Sequence, residues 1–209
     1  MLLYADRPFD IHEDLGSDGD IDEERALAFE EELVRQFVAS EEGVPLGLDA
    51  HWARGLLEHA RKYHGVTVTE LTPDVVEDVV FVDFPRQVSC EGNEAPAIVA
   101  SVRAFLAFLE RAFGLGGVAQ CAAVLGKSAE AKLRQRLSDP RYFGMAKRFV
   151  MAGMKAGYDI RTREGAAAWM RVANSRLSNG SAPRPASKPD PAKKDKRKAQ
   201  RASRRKNRR

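Results

Sequence analysis

Cysteine is nearly absent from this 209-residue sequence, which holds only Cys90 and Cys121. The two form no CxxC pair, which argues against a disulfide-stapled scaffold and against a thiolate zinc cluster of the usual spacing. Histidine is scarce too: His12, His51, His59 and His64 are all there is. Aromatic residues make up 8% of the chain, and none follows Trp169. No apolar run approaches the ~20 residues a membrane-spanning helix needs. The opening MLLYADRPFDIHEDL has neither the basic nor the long apolar segment of a secretion signal. Lone thiols without an export signal set the expectation of a reduced, cytoplasmic protein.

Charge is plentiful but unevenly placed. The formal net charge of +4 conceals fourteen Lys/Arg against two Asp from Arg176 to Arg209, and fourteen Asp/Glu against three Arg from Met1 to Glu42. Such asymmetry predicts an acidic arm over 1–21, a helical domain over 22–177 and a basic tail over 178–209. The tail has no apolar stripe and is rich in Pro, Ser and like charge, so it cannot bury enough surface to offset its ordering entropy.

The domain is organised around Ala97–Phe113, AIVASVRAFLAFLERAF. Ile98, Val102, Phe105, Leu109 and Phe113 form one stripe at helical spacing, widened by Val99, Leu106 and Phe108. Only Ser101, Arg103, Glu110 and Arg111 remain as a polar seam. A helix this apolar is covered on several sides by other elements. Asn93 and Pro96 suit its first turn, and Gly114 suits a left-handed C-cap.

Other segments carry the same periodicity. Residues 22–39 predict a helix with Ala26, Phe29, Leu33 and Phe37 inward and acids in its first turn. After a loop at 43–47, Asp49 caps a second helix with Trp52, Leu56, Ala60 and Tyr63 inward, ended by Gly65. Residues 66–71 suit a short extended link. Thr72-Pro73-Asp74 starts a third helix, stopped by Pro85, although the β-branched residues of 75–84 leave a strand as the alternative. Val118–Leu137 predicts one continuous helix, antiparallel to the central one. Asp139-Pro140 opens another, running to Gly157 with Phe143, Ala146, Val150, Gly153 and Met154 inward. Thr162 caps the last, with Ala166, Trp169, Met170 and Ala173 inward. The reading is all-α, a compact bundle of about six or seven helices.

Two stretches, VVFVDFPRQVS with the SVRAFLAFLERAFGL helix and DPRYFGMAKRFVMAGMKAGYDI with the helix after it, resemble an uncharacterised bacterial helical domain. That domain is sometimes found in proteins that also carry a zinc motif of the SecA C-terminus type. The resemblance spans roughly residues 50–172 and implies a helical fold, with no activity attached. The zinc motif needs clustered Cys and His that this chain lacks.

The strongest functional signal is the tail. Lys193, Lys194, Lys196, Arg197, Lys198, Arg201, Arg204, Arg205, Lys206, Arg208 and Arg209 are candidate nucleic-acid contacts, because dense positive charge on a pliant chain releases counterions from phosphates. Without aromatics for stacking, such contact is sequence-tolerant. Asp14–Glu24 imitates a calcium loop, but its third position is Gly16 and its twelfth is Arg25, so the acids read better as a charged arm. Gly126-Lys127-Ser128 ends like a phosphate loop, yet Cys121 stands where the first glycine belongs. The four histidines read as surface residues. Asp74, Glu77, Asp78 and Asp83 are the one place where acid/base catalysis could assemble, and Cys90 has no histidine beside it to make a reactive thiol. The sequence therefore points to no cofactor and no metal. It favours a non-enzymatic interaction module touching nucleic acid or ribonucleoprotein through its tail. The alternative is a protein–protein adaptor working through a helical groove with the tail incidental, and an enzyme ranks third.

Overall fold

A computed structural model describes residues 8–17 and 20–178, and within these the chain is all-α. Extended pairing among the described residues is confined to a tiny antiparallel ladder, Gly16–Ser17 against Asp20–Ile21. The chain divides into two compact units, one reaching Ala156 and the other starting at Gly157.

In the first unit α1 spans Glu23–Val38. Asp22 caps it by accepting from the backbone N–H groups of Glu24 and Arg25, both at 3.1 Å. Its Ala26, Phe29, Leu33 and Phe37 are buried as the spacing requires. The segment expected to be a loose acidic arm takes part in this core. Ile11 and Leu15 are buried, and Phe9 stacks 4.8 Å from Phe29. Its three apolar side chains outweigh the acids between them, because each fully buried large side chain is worth about 1.5–3 kcal/mol.

Residues Val44–His51 form 3-10 turns where a plain loop was expected, and Asp49 caps nothing. Helix α2, Trp52–His59, runs on into a π turn, Ala60–His64. Tyr63 lies 41% exposed, outside the inner stripe, because the wider π turn rotates it off that face. Gly65 ends the helix in the left-handed conformation, as Gly114 ends the central helix. The link over 66–71 holds a 3-10 turn at Val68–Glu70 instead of extended chain.

Thr72 caps α3, Pro73–Asp78, by accepting from the Val75 N–H. The β-branched stretch is helical. A π turn, Val79–Asp83, continues it into α4, Phe84–Gln87, so the helix passes through Pro85 instead of stopping there. Proline brings no N–H to the turn before it. One carbonyl of that turn, on Phe81, accepts from the Arg136 Nη1–H at 2.5 Å.

Helix α5, Ala95–Phe113, is the predicted centre of the core. Ile98, Val99, Val102, Phe105, Leu106 and Leu109 are at most 1% exposed. Ser101, expected in the polar seam, is also buried, since the small side chain tolerates a close neighbour. Asn93 belongs to a separate 3-10 turn, Gly92–Glu94, and does not cap the helix. The next helix is two pieces, α6, Val118–Ala123, and α7, Ala129–Ser138. Arg103 reaches from α5 to the break, donating to the carbonyls of Leu125 and Gly126. A charged donor makes an open helix end tolerable where sequence spacing suggested a continuous one.

Asp139-Pro140 opens only a 3-10 turn, Pro140–Tyr142; helix α8, Met145–Lys155, starts after Gly144, whose N–H bonds the Arg86 carbonyl at 2.8 Å. Its inner face is only partly the expected one. Gly153 is buried and Phe143 and Val150 are half-buried as the spacing requires, but Ala146 and Met154 are exposed and Lys147 is buried instead. In the second unit α9 spans Arg163–Ser178, with Thr162 accepting from the Gly165 N–H at 3.1 Å. The ring of Trp169 lies 5.5 Å from that of Tyr158, and Met170 is exposed.

Candidate functional site

The tail cations from Lys193 to Arg209 lie outside the described residues. So does part of the calcium-like stretch. Its Asp22 carboxylate is already engaged as the cap of α1. Gly126-Lys127-Ser128 forms the break between α6 and α7, with no strand before it. Among the described residues no three His, Cys, Asp or Glu side chains converge as a metal site would require.

The histidines are not all on the surface. His59 is 9% exposed and sits edge-on to Phe84, ring centroids 5.1 Å apart. Burial lowers its pKa below the ordinary value, which favours the neutral ring. His64 is half-buried and its Nε2 lies 2.8 Å from Asp83 Oδ2. These are the last residues of the two π turns, so the pair staples α2 to α3. Asp74, Glu77 and Asp78 are exposed. Glu77 pairs with Lys132 at 2.7 Å, so the four candidate acids do not converge.

Charge is also buried between α1 and α2. Arg61, 5% exposed, donates to both oxygens of Glu30, at 2.7 and 3.2 Å, and its Nη1 lies 2.5 Å from Glu23 Oε1. Burial raises the Glu30 pKa against the pull of Arg61. Arg61 stays charged, because its carboxylate partners hold its proton. Removing one partner of such a pair costs about 3–5 kcal/mol, so the cluster is a structural clamp.

Both thiols are buried and free. Burial pushes the Cys90 thiol up to about 11, which removes it as a nucleophile at neutral pH.

A cleft of about 1010 Å³ lies in the first unit. Its walls are the 3-10 turn Gly92–Glu94, helix α7 and helix α8, with Leu137, Pro140, Phe143, Met151 and Ala152 as apolar lining. Arg134, Arg148 and Lys155 bring positive charge, against the single carboxylate of Glu91. Gly92 allows the turn to press on α7: a Cβ there would meet Ser138 Oγ at 2.2 Å and the Arg134 carbonyl at 3.0 Å. Beside the cleft, the Lys147 ammonium sits 4.3 Å from the centroid of Phe143. It is 1% exposed and has no hydrogen-bond acceptor among the described residues. Burial lowers its pKa, opposed by the nearby Cys90 and Glu94. Sequence reasoning missed this cleft because its lining comes from three separate segments. Lys147 gave no signal beyond its place one residue from the expected inner face.

No protein-family model matches the chain, and neither a curated protein nor a solved structure matches it.

Proposed function

We propose that this protein is a non-enzymatic, cytoplasmic interaction module that contacts nucleic acid or ribonucleoprotein through the basic segment Lys193–Arg209. The observation that carries this reading is the density of cations there: twelve Lys/Arg between Lys188 and Arg209, opposed only by Asp190 and Asp195. Neutralising phosphates releases counterions irrespective of sequence, so binding is broad and falls steeply with salt. The two free thiols favour a reducing compartment.

The test is a titration of labelled RNA and duplex DNA with the full chain and with a chain ending at Leu177. Engagement of about 4–6 phosphates gives a slope of log K on log salt near −4 to −5 for duplex DNA. Equal affinities of the two chains would remove the reading.

The adaptor reading draws support from apolar side chains left in water on one turn: Leu48 is 93% exposed and Val44 65%. Pull-down with and without nuclease separates the two. Partners lost on treatment favour the tail, and partners retained favour the adaptor.

A further inference from the structure

We infer that the cleft between the 3-10 turn Gly92–Glu94, α7 and α8 is a binding site for an organic phosphate. The apolar body of that ligand lies over Leu137, Phe143 and Met151, and its phosphate faces Arg134, Arg148 and Lys155.

Size comes first. At about 1010 Å³ the cleft sits at the upper end of the range of small-molecule sites, roughly 300–1,000 Å³. Its lining has the composition such sites favour, a mostly apolar surface with a few polar groups to orient the ligand. Asn93 and Ser138 add neutral hydrogen-bonding groups on the same wall.

The pairing of the cations decides the charge of the ligand. On α7, Lys132 pairs with Glu77 and Arg136 bonds the Phe81 carbonyl, while Arg134, between them and facing the cleft, has no such partner among the described residues. On the opposite wall Lys155 likewise has no carboxylate, and Arg148 has only its Nε–H engaged, by the Pro140 carbonyl at 3.1 Å. Lys132 is neutralised by a carboxylate, whereas no carboxylate pairs with Arg134, Arg148 or Lys155 among the described residues. Two guanidinium forks and one ammonium around an apolar floor match a phosphate monoester better than a carboxylate, which offers fewer oxygens and less charge. Lys147 adds to the same field, buried against Phe143.

Two kinds of molecule present this chemistry, a nucleotide with a flat body and a lipid phosphate with a chain. The experiment is calorimetric titration of the full-length protein with AMP, dodecyl phosphate, inorganic phosphate and adenosine at low salt. One of the two esters binds at least tenfold more tightly than inorganic phosphate, and which one does so identifies the source. Arg134→Ala and Lys155→Ala each weaken that ester about tenfold, and the control Arg54→Ala, at a surface cation paired with Glu31 outside the cleft, leaves it unchanged. Arg134 and Lys155 are exposed, so both variants fold. The proposal falls if neither ester exceeds inorganic phosphate, if adenosine binds as well as the tighter ester, or if both cleft variants bind like the parent. Loss of ester binding in the chain ending at Leu177 would assign the affinity to the tail and overturn the cleft, whereas the tail's own contact with nucleic acid is read separately, by titrating that chain with RNA and duplex DNA.

Discussion

Arg136 donates to the Phe81 carbonyl at 2.5 Å, across 55 positions of sequence, and that oxygen lies in the turn before Pro85, which has no N–H to give. Arg136→Leu keeps the aliphatic stem and removes the donor. A hydrogen bond from a charged group is worth about 1.5–3 kcal/mol, and the expected loss of stability in urea unfolding is of that size. Pro85→Ala restores an N–H on the same helix, so the double variant recovers part of the loss. Strict additivity of the two changes would contradict this account.

Glu42 and Arg111 form a bidentate pair, at 2.5 and 2.8 Å, that ties the turn after α1 to the last turn of α5. The guanidinium holds the Glu42 carboxyl at about 2, below its ordinary value of 4.5. Its contribution is therefore complete above pH 4.5 and disappears as pH falls toward 2. The side chain of Arg111 is 48% exposed, so solvent screening keeps the pair weak. Glu42→Gln should lower the melting temperature slightly at pH 7 and match the parent near pH 2, as measured by thermal unfolding across pH.

Lys147 is a buried cation without an acceptor among the described residues, and such groups are often better replaced by an apolar side chain of similar volume. Lys147→Met should raise stability by about 1–4 kcal/mol at neutral pH. Because the native state holds this proton less tightly than the unfolded chain, the parent gains stability as pH rises from the lowered pKa toward 10.5. The gap between variant and parent should narrow over that window. A variant less stable than the parent at pH 7 would show that Lys147 has a partner the described residues do not include.

Cys90 and Cys121 are at most 4% exposed, and burial raises the pKa of both thiols. With Cys90 at about 11, roughly one molecule in a thousand carries that thiolate at pH 8. A chromogenic disulfide reagent should therefore titrate neither thiol in the native protein and both in denaturant. Rapid reaction of one thiol at native pH would place that residue near a local opening.

Some helix starts and stops were legible in the sequence. The caps at Thr72 and Thr162, the acids at the start of α1 and the left-handed glycines 65 and 114 act within a few residues of themselves, so local pattern suffices, whereas Asp49, Asn93 and Asp139 carry the same local signal and start no α-helix. What escaped was decided by distant partners. Pro85 reads as a stop until Arg136 supplies a donor to the turn before it, and 118–137 reads as one helix until Arg103 holds open the carbonyls at its break. The burial of His59 and Lys147 was illegible for the same reason. A polar side chain at helical spacing reads as solvated, and only the packing of Phe84 or Phe143 against it shows otherwise.

The two π turns stapled by His64 and Asp83 carry a consequence for insertions and deletions. A π turn holds one residue more than the regular helix would need to reach the same height. Deleting Val82, which is exposed, would return that turn to ordinary winding and keep the later residues near their present faces, with Phe84 still close to Trp52 and His59. The same loss inside the regular winding of α5 would swing every later residue of that helix by about 100° around the axis. The π turn is thus the place where this helix absorbs a single-codon loss.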